Sequence, residues 1–189
     1  MSLSVEIRNG NLVVKFTRPE MRNPLSIEVV TFLHDVIDSV DKNVRRLVIT
    51  GSGDTFASGA NLTEIARVSA DKANEFALLG QTLMNKIAAL PIQTIAAING
   101  YCYGGGLDLA LSCNRRVASS NAVFSHPGVG LGIITGWGGT QRLPRLIGEA
   151  NALEMLLTGA RFDADWALQA GLIDKIVDDP LSYALDQVD

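Results

Sequence analysis

A run of glycines followed by one carboxylate is the part of this sequence best suited to chemistry. Three consecutive glycines, residues 104–106, follow the β-prone residues 94–98, and Asp108 comes next in a segment with Leu107 and Leu111 at helical spacing. Glycine lets a backbone approach a ligand closely, and the first N–H groups of a helix have no intrahelical acceptor. The segment therefore predicts a donor site for negative charge with a proton-transfer group beside it.

A second small-residue loop, residues 56–62, follows the strand-like residues 47–50 and precedes a helical segment. Alone, such a loop is also typical of an ordinary turn. If both loops follow parallel strands, however, they could direct two N–H groups at one carbonyl oxygen. That geometry would stabilise an enolate or a tetrahedral oxyanion.

Several common site types do not fit the sequence. Residues 128–132 (Gly-Val-Gly-Leu-Gly) lack the third glycine of a dinucleotide-binding GxGxxG, and neither GxxxxGK[ST] nor GxSxG occurs. Cys102 has no paired base for nucleophilic catalysis. With only two histidines and no cysteine cluster, a metal site is not expected.

Composition and charge narrow the class of protein further. The 189 residues suit one domain, residues 1–189, and 47% of them are hydrophobic, which predicts a large core, a buried subunit interface, or both. A net charge of −4 without a basic run argues against a nucleic-acid partner. No apolar run reaches the ~20 residues that span a bilayer. No signal peptide is visible and the two cysteines form no disulfide framework, so we expect a cytoplasmic protein.

The predicted elements alternate between strands and helices, which indicates an α/β core. Asn9-Gly10 separates two strand-like runs and predicts a hairpin, while Ser26 is a typical N-cap for a helix with Ile27 and Val30 on its buried face. The other predicted helices cover residues 70–90, 140–147, 150–157 and 164–170, and the other predicted strands cover residues 46–50, 94–98, 116–118, 123–125 and 172–177.

Taken together, these segments resemble the enoyl-CoA hydratase/isomerase (crotonase) superfamily over nearly the whole chain. The matching segments, in family order, are Arg18-Pro19, Asn23-Pro24-Leu25, residues 56–62, residues 97–106, Phe124, Gly138-Gly139-Thr140-Gln141-Arg142-Leu143, Leu157-Thr158-Gly159 and Ala170-Gly171-Leu172.

The resemblance implies a fold, a substrate and a set of site residues. The fold would be a crotonase-like spiral of ββα units, with the usual C-terminal helical trimerisation region largely missing. The substrate would be an acyl-CoA thioester held in a homo-oligomer (a trimer or a dimer of trimers), with no redox cofactor, metal, nucleic acid or membrane. Its thioester oxygen would accept hydrogen bonds from the N–H groups of Ala60 and Gly105. Residues expected to contact coenzyme A are Met21, Arg22, Ala60, Asn61, Leu62, Thr63 and Gly105.

The sequence departs from this family at the acidic positions. Hydratases of the family carry two catalytic glutamates; the first falls on Asp108 and the second on Gly128. We expect the helix N-terminus to keep Asp108 ionised as a general base. If residues 122–128 are extended, His126 points to the same side as Gly128 and could be an accessory proton carrier, although a hydrogen-bonded structural histidine is the favoured alternative. Thr135 and Trp137 would shape the pocket.

Three functions follow from these expectations. Hydration of a 2-enoyl-CoA is the first, with Asp108 as the proton shuttle. Double-bond isomerisation is the second, because one carboxylate can remove and return the same proton. An acyl-CoA-binding or assembly protein without turnover is the third, and Gly128 favours it.

Overall fold

The computed structural model describes residues 2–186 and has an α/β architecture with two main sheets and a further, two-stranded parallel sheet. The strands are β1 (Leu3–Arg8), β2 (Asn11–Phe16), β3 (Pro24–Leu25), β4 (Arg46–Thr50), β5 (Thr55–Ala57), β6 (Gly59–Ala60), β7 (Gln93–Ile98), β8 (Tyr101–Tyr103), β9 (Arg115–Ala118), β10 (Val123–Ser125), β11 (Phe162–Asp163) and β12 (Lys175–Ile176). The helices are α1 (Ile27–Asp38), α2 (Leu62–Ile65), α3 (Ala73–Ala88), α4 (Gly105–Ser112), α5 (Gly139–Ile147), α6 (Glu149–Thr158), α7 (Ala164–Gln169) and α8 (Pro180–Leu185).

The larger sheet has the order β1-β2-β4-β7-β9-β12 and is parallel from β2 onwards. The predicted hairpin at its edge is confirmed: β1 and β2 are antiparallel, and Asn9 (φ 51°) and Gly10 (φ 76°) form the turn between them. Every residue of β4 is buried, as expected for a strand covered on both faces.

The smaller sheet, of order β11-β10-β8-β5, determines where loops converge. Strands β5, β8 and β10 are parallel neighbours, so the chain leaves all three at one edge. Strands β5 and β8 are short, and sequence patterning did not predict either. Loops at the carboxyl ends of parallel strands commonly form ligand sites.

The predicted helices are present, but one residue expected to be buried is exposed, and one predicted strand is shorter than expected. Ser26 caps α1 by accepting a hydrogen bond from the Val29 N–H at 3.2 Å. Ile27, expected on the buried face, is exposed because it is the first residue of the helix and lies at its open end. Of the predicted strand over residues 172–177, only Lys175–Ile176 is paired in the sheet. Within residues 2–186, no helix combines the length and apolar character needed to cross a membrane.

Candidate active site

The loops that leave β5, β8 and β10 surround one cavity of about 420 Å³. Ala60, Gly105 and His126 follow these strands and line the cavity, together with Asp108 from the first turn of α4. The remaining wall is mostly apolar, with side chains from α2, α3 and residues 131–137. The structure thus brings the four residues expected to be catalytic to one space.

The backbone amides of Ala60 and Gly105 lie side by side on the cavity wall. A Cβ on Gly105 would lie 3.3 Å from the Ala60 nitrogen, and a Cβ on Gly59 would lie 2.8 Å from the Gly105 nitrogen. Gly59 also has φ of +91°, a conformation that side chains rarely allow. Because Gly105 is the first residue of α4, its N–H has no intrahelical acceptor. The pair is suited to a carbonyl oxygen that gains negative charge.

Trp137 closes the cavity beside these amides. Its indole is so close to α3 and α4 that a Cβ on Gly80 would lie 2.3 Å from the ring and one on Gly105 2.8 Å from it. The Phe76 ring centroid is 5.7 Å away, and Trp137 is buried. This packing gives the Gly105 amide an apolar neighbour on one side, which strengthens electrostatic interactions there.

Asp108 is 1% exposed, and this burial raises the pKa of its carboxyl group to about 7. The hydrogen bond from the Thr135 hydroxyl opposes the rise, as do the nearby backbone N–H groups of Trp137 and Gly139 and the charge of Arg142. The expectation that the helix N-terminus keeps Asp108 ionised is therefore wrong, because desolvation outweighs the favourable dipoles. A carboxyl with this pKa exchanges protons in both directions near neutral pH.

His126 faces the same carboxyl group. Its Nε2 lies 3.6 Å from Asp108 Oδ1, and neither ring nitrogen has a hydrogen-bond partner within residues 2–186. Burial lowers the pKa of the imidazole to about 4, so it is neutral at pH 7. Gly139 permits this approach, because a Cβ there would lie 2.2 Å from Asp108 Oδ1 and 3.1 Å from His126 Cε1.

The predicted strand over residues 123–125 is confirmed, but the extended conformation does not continue to residue 128, so the condition set for His126 and Gly128 is not met. Strand β10 ends at Ser125, and a 3₁₀ helix, Pro127–Leu131, begins at the proline. Proline fixes its own φ near a helical value, so the strand cannot continue past His126. The histidine faces Asp108 through this turn and not through strand alternation with Gly128.

Gly128 has little room for a side chain. A Cβ there would lie 2.7 Å from the Ile133 carbonyl oxygen, and the Ile133 N–H donates to the Gly128 carbonyl oxygen at 3.0 Å. Since the obstructing atom belongs to the backbone, a glutamate at this position would have to displace residues 131–134. The loop is thus folded around a glycine at the position where the resemblance places a second acid.

Gly128→Glu should therefore lower the free energy of unfolding by about 1–3 kcal/mol through overpacking, and should not raise activity towards acyl-CoA substrates. Gly130→Glu is the matched control, because nothing lies within 4 Å of a Cβ at Gly130 in the same 3₁₀ helix. We expect the control to stay within about 0.5 kcal/mol of the parent in urea unfolding. Equal stability of the two variants, or a faster enzyme from Gly128→Glu, would contradict this account.

The residues expected to contact coenzyme A are divided between the cavity and its surroundings. Leu62 lines the cavity, whereas Met21, Arg22, Asn61 and Thr63 do not. Asn61 caps α2 by accepting the Thr63 N–H at 2.9 Å, and the Arg22 carbonyl oxygen accepts the Ser58 N–H at 3.1 Å. Arg22, Asn61 and Thr63 thus lie beside the loop that carries Ala60, whereas Met21 is exposed. In the described part of the chain, no three acidic, histidine or cysteine side chains are grouped so as to hold a metal ion.

Comparison with known proteins identifies the class to which this arrangement belongs. The family model for enoyl-CoA hydratase/isomerase matches residues 6–184, and the chain belongs to this family. It has the crotonase fold, the α/β fold that the sequence resemblance implied. The structure of an enoyl-CoA hydratase from Bacillus anthracis superimposes with a TM-score of 0.93 at 33% identity, covering 98% of this chain and 74% of that one.

Two curated relatives are similar in sequence. A crotonyl-CoA hydratase from Syntrophomonas wolfei is 44% identical over 87% of this chain. A short-chain-enoyl-CoA hydratase from Clostridium acetobutylicum is 38% identical over 88% of it. The chain spans 65% of the length of each.

Proposed function

We propose that this protein adds water to the double bond of a 2-enoyl-CoA thioester. The observation that carries the proposal is the position of Asp108: a buried carboxyl with a pKa raised to about 7 borders the same cavity as the paired amides of Ala60 and Gly105. A proton-transfer group and a donor pair for a carbonyl oxygen are the two elements that enolate chemistry requires.

In the proposed reaction the thioester oxygen accepts hydrogen bonds from the Ala60 and Gly105 N–H groups. Water, deprotonated towards Asp108, forms a bond to the β-carbon, and the electrons of the double bond move onto the thioester oxygen as an enolate. The enolate then collapses, and Asp108 returns the proton to the α-carbon. Each amide would contribute about 3 kcal/mol of transition-state stabilisation, since it is directed at an oxygen that gains charge.

The pKa of Asp108 suits both proton transfers of this cycle, the removal of a proton from water and the delivery of a proton to the α-carbon. Near pH 7 the ionised and protonated forms are similarly populated, so one carboxyl can act as base and then as acid. This compensates for Gly128, which supplies no second acid. Neutral His126 beside Asp108 is an accessory that adjusts the polarity around the carboxyl group.

The direct test is the incubation of the purified chain with crotonyl-CoA in H₂¹⁸O. Hydration predicts 3-hydroxybutyryl-CoA that carries the isotope at its hydroxyl group, detected by mass spectrometry. Binding of the thioester without any labelled product over a range of 2-enoyl chain lengths would contradict hydration. That result would favour the acyl-CoA-binding or assembly role.

Double-bond isomerisation is the second candidate, and the position of the Asp108 carboxyl group on the cavity wall is the observation that favours it. A site with a single carboxyl can move a proton between the α- and γ-carbons of a 3-enoyl-CoA without a second acid. Conversion of 3-enoyl-CoA to 2-enoyl-CoA, with no incorporation of ¹⁸O, would support this candidate against hydration.

We also propose that the chain forms a homo-oligomer. Leu146, Leu153 and Leu157 of α5 and α6, and Leu168 of α7, are exposed apolar side chains that a second copy could cover. Light scattering at micromolar concentration should give a multiple of the 20.2 kDa chain mass. A single species of one chain mass would contradict the proposal.

A further inference from the structure

The depth at which Asp108 is buried raises the question of how it reaches a substrate. The carboxyl is 1% exposed and is one methylene shorter than the glutamate that the resemblance places there. Thr135 is half-buried, also lines the cavity, and donates its hydroxyl hydrogen to Asp108 Oδ2. The threonine hydroxyl is therefore the more accessible member of the pair.

We infer that the Thr135 hydroxyl is a catalytic proton relay, which links the recessed Asp108 carboxylate to the reacting water or α-carbon. This inference rests on the proposed enolate chemistry. It assigns Thr135 a direct part in proton transfer, beyond the shaping of the pocket expected from the sequence.

The relay conserves atoms and charge. When Asp108 is ionised, the Thr135 O–H donates to it, and the lone pairs of Oγ1 remain free to accept a proton from the cavity. As water attacks the β-carbon, its proton moves to Thr135 Oγ1 while the original hydroxyl proton moves to Asp108 Oδ2. Reversal of the two transfers delivers a proton to the α-carbon and restores both side chains.

Other groups near Asp108 are less suited to this part. His126 Nε2 lies 3.6 Å from Oδ1, but its imidazole is 3% exposed and is itself buried beside the carboxyl. The Trp137 and Gly139 donors are backbone amides, which do not exchange a proton with substrate during turnover. Arg142 donates hydrogen bonds to the Trp137 carbonyl oxygen and the Asn85 side chain, and burial raises the pKa of the Cys102 thiol, so the thiol stays protonated.

The test separates a relay from a residue that only adjusts the pKa of Asp108. Thr135→Val keeps the shape of the side chain and removes the hydroxyl, so we expect turnover to fall about 100-fold at every pH. Thr135→Ser restores the hydroxyl and should recover most of the activity. Thr140→Val is the matched control, because Thr140 does not line the cavity, and it should leave turnover unchanged.

Exchange of the α-hydrogens of butyryl-CoA in D₂O supplies a readout that does not require hydration. The relay predicts the same loss of exchange in Thr135→Val and the same recovery in Thr135→Ser. Full activity of Thr135→Val above pH 9 would overturn the relay, because the hydroxyl would then act only on the pKa of Asp108. Equal activity of the valine and parent proteins would overturn it as well. A parent that exchanges α-hydrogens but adds no water would refute hydration and leave the relay standing.

Discussion

Asp108→Asn should lower turnover of a 2-enoyl-CoA by about 100-fold or more, with thioester binding retained. Asparagine has nearly the same shape and can still accept hydrogen bonds, but it cannot take up a proton from water. The loss should therefore appear in kcat, whereas the affinity for a saturated acyl-CoA should change little. Steady-state kinetics and calorimetric titration with butyryl-CoA measure the two quantities separately.

The same substitution should change how stability depends on pH. Burial raises the folded-state pKa of Asp108 from 3.8 to about 7, so between these values the folded protein holds a proton that the unfolded chain has released. The free energy of unfolding contributed by this group therefore falls as pH rises through that window. Asp108→Asn removes this contribution, and its stability relative to the parent should increase from pH 4 to pH 7.

Comparing His126→Gln with Asp108→Asn shows which of the two residues is the principal proton-transfer group and which is the accessory. His126 should be the accessory, so its replacement should cost much less activity than Asp108→Asn. Near-full activity of Asp108→Asn together with an inactive His126→Gln would reverse the assignment. If the parent turns over no substrate, both substitutions are silent and the non-catalytic role gains support.

Local sequence signals correctly predicted the structural elements whose conformation is set by their own residues. Asn9-Gly10 specifies a tight hairpin, Ser26 caps α1, and the three glycines at residues 104–106 place the start of α4. The family resemblance then predicted how these parts assemble. It also named Ala60, Gly105 and Asp108, which line one cavity although Ala60 is far from the others in sequence.

What the sequence did not predict depends on contacts between distant segments. The pKa of Asp108 follows from burial by surrounding loops, and this effect exceeds the helix dipole that a local analysis considers. Thr135 follows Asp108 by 27 residues, so no short motif links the two side chains. Pro127 is a local signal that ends the strand of residues 123–125 before Gly128, because proline favours the start of a helical turn.

A second large loss of activity is expected when the backbone N–H donor of Gly105 is removed. Gly105→Pro removes this N–H at the first position of α4, where proline is otherwise well tolerated, so the helix itself should persist. Any added Cβ would also press on the Trp137 indole, which lies 2.8 Å from its position. Gly105→Ala is thus the matched control, since it introduces the same Cβ and keeps the N–H.

We expect Gly105→Pro to be about 100-fold less active than Gly105→Ala, which corresponds to the loss of one donor worth about 3 kcal/mol in the transition state. The alanine variant carries the cost of displacing Trp137, so the ratio of the two removes that cost and reports the loss of the N–H together with the ring carbons that replace it. Circular dichroism and thermal unfolding should show that both variants fold. If two folded variants have equal kcat/KM, the Gly105 amide does not stabilise the enolate oxygen, and that oxygen must lie elsewhere in the cavity.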